Sequence, residues 1–233
     1  YCPKWGLPLL TVLLAPSGVS FSLTGFSLSP LVSPHPPAPD VVYVGTVNPQ
    51  HLPDTLLFLR ARKAVLVEKP MGISAREAKE MAAAAREAGV FLMEGFWTRF
   101  FPAWKRLKAL VDEGALGECR VLQGALAFPL RSVERVREPS LAGGALLDLG
   151  GYGLQIGQRL VGEGVPTPTA TGRGLPGGVS NNGKVPKQQG GEVHNDVVRG
   201  SPVMPLAESE LIAEMMDEAR RQVGAVGPGG TAP

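Results

Sequence analysis

The sequence lacks the features that mark disulfide-rich, metal-binding, nucleic-acid-binding and membrane-spanning proteins. It has only two cysteines, Cys2 and Cys119, and they form neither a disulfide framework nor the spacing of a metal site. A reducing, cytoplasmic compartment is therefore expected. There are 23 basic and 21 acidic residues, a net charge of +2, with no long basic run, which argues against nucleic acid or an anionic membrane as the main partner. The apolar stretch at residues 7–15 is too short to cross a bilayer and contains Pro8.

Residues 1–39 also lack the glycine-rich loop with which nucleotide-binding domains open. Within residues 15–30, Gly18 and Gly25 are isolated and have no flanking strand or helix pattern. The segment is rich in Ser, Pro and Leu and shows no periodicity. Residues 163–202 are dominated by Gly, Pro, Asn and Gln and have no apolar face to bury. We expect both segments to be largely irregular, and a C-terminal helix over residues 203–226.

In residues 40–162, by contrast, short apolar runs alternate with amphipathic segments. Continuous apolar runs are typical of strands that are covered on both faces of a parallel sheet. The pattern predicts three strands and two intervening helices, at residues 41–47, 51–62, 64–67, 74–89 and 90–93. This alternation predicts the C-terminal half of a doubly wound, Rossmann-type α/β sheet, a partial dinucleotide-binding domain over residues 40–101.

Local signals mark several helix boundaries. Ser74 and Glu77 form a capping box at the start of one helix, and Gly89 ends it.

Residues 102–162 begin a second α/β domain, a remnant of an open-sheet domain in which we predict a strand at 120–128 and a helix at 146–160.

Polar residues follow each predicted strand of the first domain. They are Thr46 and Asn48, Glu68 and Lys69, and Glu94. A Glu-Lys pair is ordinarily a solvated surface pair. Here it ends an apolar strand, and ligands of open α/β sheets bind outside the carboxyl ends of the strands, so we expect Lys69 in a ligand crevice.

A second polar cluster lies on the glycine-rich helix "GGALLDLGGYGLQIGQRL". Asp148 and Tyr152 are four residues apart and share a helix face, which Gln155 and Arg159 continue. This face could simply meet water. However, each interior glycine costs about 1 kcal/mol relative to alanine, which favours close approach by another backbone or a ligand.

Together the two clusters predict an acid–base pair. A nearby ammonium such as Lys69 would favour the Tyr152 phenolate, a suitable general base for removing a hydroxyl proton during hydride transfer. Asp148 could orient either group. Trp97, Phe100 and Phe101 could line an apolar pocket, although core packing is the more common role of such residues. His51, at the start of a helix, is more typical of a cap than of a ligand.

Four motifs carry a family resemblance. "VGTVNPQH", "AVLVEKPMG", "FLMEGFWTRFFP" and "GGALLDLGGYGLQ" occur in the order and spacing of the Gfo/Idh/MocA oxidoreductases, which the sequence resembles. The resemblance implies an N-terminal dinucleotide-binding domain, and a C-terminal domain whose sheet shapes the substrate site and often a homodimer interface.

The resemblance also implies an activity and site residues. Lys69, Tyr152 and Asp148 would be catalytic, and the implied cofactor is NADP. The cofactor-binding residues would be Thr46, Asn48, His51, Glu68, Lys69, Trp97 and Arg99. The implied substrates are small molecules: trans-dihydrodiols of aromatic hydrocarbons, pyranose sugars such as D-xylose, or both.

The sequence departs from the family pattern at two places. The glycine-rich loop is not found in residues 1–39, and residues 163–202 stand where most of the C-terminal sheet would be. We therefore expect a truncated or alternatively spliced form. The alternative function is a catalytically inactive isoform that acts at most by association.

Overall fold

The computed structural model describes residues 12–14, 41–119, 122–130, 132–161 and 200–224. Most of the two segments predicted to be irregular, and the last residues of the predicted C-terminal helix, lie outside these ranges. The strands are β1 (Val12–Leu14), β2 (Val41–Val44), β3 (Ala64–Val67) and β4 (Leu92–Glu94), and the α-helices are α1 (His51–Arg60), α2 (Ala75–Ala88), α3 (Pro102–Asp112), α4 (Glu134–Arg137), α5 (Gly151–Val161) and α6 (Leu206–Gln222).

Strands β2, β3 and β4 form the predicted parallel sheet, in that order, and α1 and α2 connect them. Val42, Val44, Val65 and Val67 are fully buried on one face of the sheet, in a core that includes residues of α1 and α2. The alternate residues of β2 and β3 are less buried than these valines. The expectation that both faces are fully covered is therefore wrong for the described residues, because the helices supply apolar side chains to one face.

Strand β1 was not predicted. It pairs antiparallel with the free edge of β2 and extends the sheet to four strands. A three-residue strand is too short to show a periodicity, and its pairing depends on an edge contributed by a distant part of the chain.

The helix that follows β3 begins at the predicted capping residue. The Ser74 hydroxyl accepts a hydrogen bond from the Glu77 backbone N–H at 3.3 Å. Glu77 reaches back to the N–H of Ile73 (3.0 Å), one residue earlier than in a standard capping box. Gly89 ends the helix in the left-handed conformation (φ 68°).

Helix α6, shorter than the predicted 203–226, joins the two halves of the described structure. It packs against α2 and α5. Its Asp217 accepts a hydrogen bond from the N–H of Ala75, the first residue of α2, at 2.8 Å. Arg220 donates to the carbonyl of Ile73 (2.7 Å) and also pairs with Asp217. The C-terminal helix therefore caps the start of α2.

The predicted strand at residues 120–128 is wrong for its described part, since residues 122–130 are irregular. Leu122, Leu126 and Phe128 are exposed. A strand at the edge of a sheet needs a neighbour, and no neighbouring strand is described beside this segment. The predicted helix at 146–160 is observed as a π-helical turn, Leu146–Gly150, that leads directly into α5.

In the described part of the chain, none of the helices has the length and apolar character needed to cross a membrane.

Candidate active site

Strand β3 places Lys69 at the carboxyl edge of the sheet, beside the π-helical turn. The Lys69 ammonium donates to the backbone carbonyl of Asp148 at 2.7 Å and lies 3.4 Å from its carboxylate Oδ1. Both side chains are largely buried, with 15% and 6% exposed. The two predicted clusters, 79 residues apart in sequence, therefore meet in space.

Tyr152 completes this convergence from the first turn of α5. The Lys69 Nζ lies over its ring, 5.1 Å from the centroid, which is cation–π geometry. The edge of the ring also packs against Phe96, with centroids 5.7 Å apart and planes at 81°. The ammonium thus faces the ring and not the phenol oxygen.

The prediction that Lys69 lowers the pKa of Tyr152 is wrong for this arrangement. Burial raises the pKa of the phenol, and the negative charges of Glu68 and Asp148 act in the same direction. The indole N–H of Trp97 donates to the phenol oxygen at 2.6 Å and opposes this rise in pKa. Because the oxygen accepts that bond, its own proton stays available. No acceptor for it is found among the described residues.

Arg135, a residue that sequence reasoning missed, completes the charge environment of Asp148. Its guanidinium lies 2.7 Å from Asp148 Oδ1, the same oxygen that faces Lys69. Arg135 comes from α4, a four-residue helix without a recognisable motif. Only the fold brings it to the site, so no sequence signal could have identified it.

Glu68 is held beside Lys69 at the carboxyl edge of the sheet. Its Oε1 accepts a hydrogen bond from the Tyr43 hydroxyl (2.8 Å), and its Oε2 accepts one from the Lys69 backbone N–H (3.1 Å). Burial, the hydrogen bond to Glu68 and the charge of Glu68 all raise the pKa of Tyr43. Tyr43 therefore remains a donor that orients the carboxylate.

The polar residues that follow β2 are hydrogen-bonded within the protein. The Thr46 hydroxyl donates to Asp54 (2.9 Å), and the Asn48 amide donates to the carbonyl of Ala142 (3.0 Å). His51 is buried, and its ring nitrogens lie 2.8 Å from the Pro70 carbonyl and 3.0 Å from the Thr46 carbonyl. Burial lowers the pKa of His51, and the two carbonyls oppose this.

His51 therefore connects the loops that follow β2 and β3. Because both of its ring nitrogens are engaged by backbone, its contacts differ from those of a simple helix cap.

The two predicted cofactor residues that follow β4 point in different directions. Trp97 is 57% exposed beside Tyr152 and packs edge-on against Phe101. Arg99 is buried, and its guanidinium donates to both the side chain and the backbone carbonyl of Gln155. Arg99 also bonds Gln158, the Val203 carbonyl and Glu208. Its donors are used within the protein, so it holds α5 and the segment before α6 together.

Glu94, the polar residue at the end of β4, is fully enclosed beneath the site. Its Oε1 accepts a hydrogen bond from the Met71 N–H, two residues after Lys69, at 2.8 Å. Its Oε2 and the adjacent Ser209 hydroxyl have no partner in hydrogen-bonding geometry. Burial raises the pKa of Glu94 from 4.5 to about 7, and Ser209, Met71, Arg99 and Lys69 oppose this rise.

Two glycines of α5 have different surroundings. A Cβ built on Gly151 would lie 2.8 Å from the Phe96 ring, so this glycine admits the aromatic side chain. A Cβ on Gly153 would meet nothing within 4 Å among the described residues. The close approach expected from the sequence therefore occurs at Gly151, where the neighbour is a core ring.

The arrangement is chemically suited to proton exchange with an oxygen-bearing substrate. It combines a protonated phenol that has an available donor with an ammonium held by a carboxylate. Among the described residues, no group of three His, Cys, Asp or Glu side chains could hold a metal ion.

Two family profiles match the chain in succession. A profile described as "Oxidoreductase family, NAD-binding Rossmann fold" matches residues 21–96, and "GFO/IDH/MocA C-terminal domain" matches residues 104–193. The first contains β2–β4 with Lys69, and the second contains Asp148 and Tyr152.

Individual proteins show the same relationship. Trans-1,2-dihydrobenzene-1,2-diol dehydrogenase of Mus musculus is 34% identical, and the match covers 82% of this chain and 80% of that protein. The enzyme of the same name from Oryctolagus cuniculus is 46% identical over 68% of this chain and 48% of its own length. Among solved structures, KijD10, a 3-ketoreductase from Actinomadura kijaniata in complex with NADP and TDP-benzene, is similar with a TM-score of 0.51 and 33% identity. That match covers 55% of this chain and 39% of the ketoreductase.

Proposed function

Because the chain belongs to the Gfo/Idh/MocA oxidoreductase family, we propose that its site transfers hydride between NADP and a secondary alcohol carbon of a trans-dihydrodiol of an aromatic hydrocarbon, a pyranose sugar such as D-xylose, or both. The observation that carries the proposal is the convergence of Lys69, Asp148 and Tyr152, with the ammonium 5.1 Å from the phenol ring centroid. The dihydrodiol follows the names of the relatives, and NADP follows the ketoreductase complex. The sugar rests on the family resemblance alone.

In the proposed reaction Tyr152 exchanges a proton with the substrate oxygen. During oxidation its phenolate removes the hydroxyl proton, and during reduction its phenol returns a proton to the carbonyl oxygen. Trp97 holds the phenol oxygen in place through the 2.6 Å hydrogen bond. Asp148, itself fixed by Arg135, positions Lys69 through the contacts at 2.7 and 3.4 Å.

The residues present fit the nicotinamide end of a dinucleotide. Lys69 and Glu68 lie at the carboxyl end of β3, where ligands of open α/β sheets bind, and Trp97 exposes its indole beside Tyr152. These three residues would hold the nicotinamide, with Thr46 and Asn48 supporting the neighbouring loop. When bound, the nicotinamide would accept the hydride in oxidation and return it in reduction.

The raised pKa of Tyr152 gives the two directions different pH dependences. The phenol is protonated at neutral pH, so it is ready to donate during reduction. Oxidation needs the phenolate, so its rate should increase as the pH rises above neutrality.

The experiment compares the chain with its Tyr152→Phe variant in NADP⁺-dependent oxidation of a trans-dihydrodiol and of D-xylose. We expect kcat/KM to fall by about 10²–10⁴-fold, the usual contribution of a general acid–base group. Binding of NADP⁺ should persist in the variant, which distinguishes loss of proton transfer from loss of the fold. Equal turnover by both proteins would contradict the assignment of Tyr152.

A second candidate function is association without catalysis. Residues 1–39 carry no G-x-G-x-x-G loop, and the β2 edge is occupied by the antiparallel strand β1. If the chain neither binds NADP⁺ nor turns over either substrate, this candidate replaces the first. Homodimer formation and a reducing, cytoplasmic compartment are part of the proposal and rest on the resemblance and on the few cysteines.

A further inference from the structure

A cavity lies between α3 and α5, and none of Lys69, Asp148 and Tyr152 lines it. Its volume is about 260 Å³. Arg159, which lines the cavity, is seven residues after Tyr152 on α5 and therefore about 10 Å away along the helix axis. Cavities for drug-sized ligands are usually larger than about 300 Å³, so this cavity suits a smaller molecule.

The lining of this cavity has charge of one sign only. Four of its nine residues are cationic and none is acidic: the cations are Arg99, Lys105, Lys108 and Arg159. Lys105 and Lys108 are three residues apart on α3 and therefore share a face, while Arg159 approaches from α5. Cationic groups on opposite walls of one cavity create a positive potential inside it.

The nearby carboxylates cancel only part of this charge. Glu208 lies next to the cavity but is already shared by two guanidiniums, those of Arg99 and Arg159. Asp112 pairs with Lys108, so the two carboxylates leave a net of two positive charges at the four cations. Lys105 has no ion-pair or side-chain hydrogen-bond partner in the part of the chain that the structure describes. Lys105, an exposed residue of the lining, therefore carries three donors that no described side chain uses.

The remaining lining gives the cavity an apolar wall, formed by Trp104, Ile156 and Leu160. We infer that this cavity is a binding site for a small phosphate monoester, whose dianionic group would be held by Lys105, Lys108 and Arg159 and whose organic part would pack against Trp104. A dianion matches several converging cations better than a singly charged carboxylate of the same size does.

The test titrates the full chain with phenyl phosphate, benzoate and inorganic phosphate by calorimetry at constant ionic strength. We expect saturable binding of phenyl phosphate at one site per chain, with benzoate and inorganic phosphate binding more weakly. Lys105→Gln and Lys108→Gln should each weaken the phenyl phosphate complex by about two- to five-fold, as for the loss of one exposed ion pair. Lys63→Gln is the matched control, because it removes the same charge from the α1–β3 turn, away from the cavity. It should leave the affinity unchanged.

A second measurement locates the site without any substitution. Bound phenyl phosphate should protect Lys105 and Lys108, but not Lys63, from an amine-reactive label read by mass spectrometry. Three results would overturn the inference: no saturable binding, an equal loss of affinity in Lys63→Gln, or benzoate binding as tightly as phenyl phosphate. The inference would also be overturned if all three lysines were labelled at an unchanged rate in the presence of phenyl phosphate.

Discussion

The buried carboxyl of Glu94 should make the stability of the protein fall as the pH rises through neutrality. Its folded-state pKa is raised from 4.5 to about 7 because the side chain is fully buried at the end of β4. At a pH between 4.5 and about 7, Glu94 holds its proton more tightly in the folded protein than in the unfolded chain, so protonation favours folding. The stabilisation is complete below pH 4.5 and is lost as the pH rises through about 7.

The size of the effect follows from the difference between the two pKa values. At about 1.36 kcal/mol for each pH unit, a pKa raised from 4.5 to about 7 corresponds to roughly 3 kcal/mol. Glu94→Gln should remove this dependence. Its amide oxygen can accept the Met71 N–H bond in place of Oε1, and its NH₂ can donate to the Ser209 hydroxyl.

The assay is urea denaturation of both proteins from about pH 5 to about pH 8.5. Relative to Glu94→Gln, the wild-type chain should lose about 2–3 kcal/mol of its free energy of unfolding over this interval. Other titrating groups are common to both proteins and cancel in the difference. Parallel pH profiles for the two proteins would refute the argument, because Glu94 would then not ionise with a raised pKa.

Two further predictions concern α5 and the tyrosine that it carries. Gly151→Ala places a methyl group 2.8 Å from an aromatic ring and should destabilise the fold by about 1–3 kcal/mol. Gly153→Ala adds a methyl group that has no neighbour within 4 Å, so it should leave stability unchanged or increase it by up to about 1 kcal/mol. Thermal denaturation of the two variants checks this, and an equal loss in both would contradict the packing. Trp97→Phe removes a hydrogen bond that lowers the pKa of Tyr152, so the pH profile of substrate oxidation should move to higher pH. An unchanged profile would show that this bond does not tune the phenol.

The sequence predicted those parts of the fold whose signals are local. The strand at residues 64–67 and the capping of α2 by Ser74 are as expected, because a buried apolar run and a capping box depend on neighbouring residues. The strand expected at 120–128 is not formed in its described part, since a strand also depends on a partner from elsewhere in the fold. Strand β1 was missed for the same reason.

For the candidate site, too, the sequence predicted one part and missed another. The strand-end rule predicted a ligand position for Lys69, and the family resemblance implied that Asp148 and Tyr152 lie beside it; the fold brings the three together. Their electrostatics could not be predicted. Whether the ammonium meets the ring or the oxygen depends on the tertiary packing of Phe96 and Trp97.

Binding of the nicotinamide cofactor tests the account most directly, by calorimetric titration of the full chain with NADP⁺. The account predicts saturable binding that is weakened at least about tenfold by Lys69→Met, the loss expected for a charge-assisted contact in a buried site. Lys63→Met, a lysine outside the crevice, should bind as the wild-type chain does. No binding, or equal affinity in wild type and Lys69→Met, would contradict the claim that Lys69, Asp148 and Tyr152 form a working oxidoreductase centre.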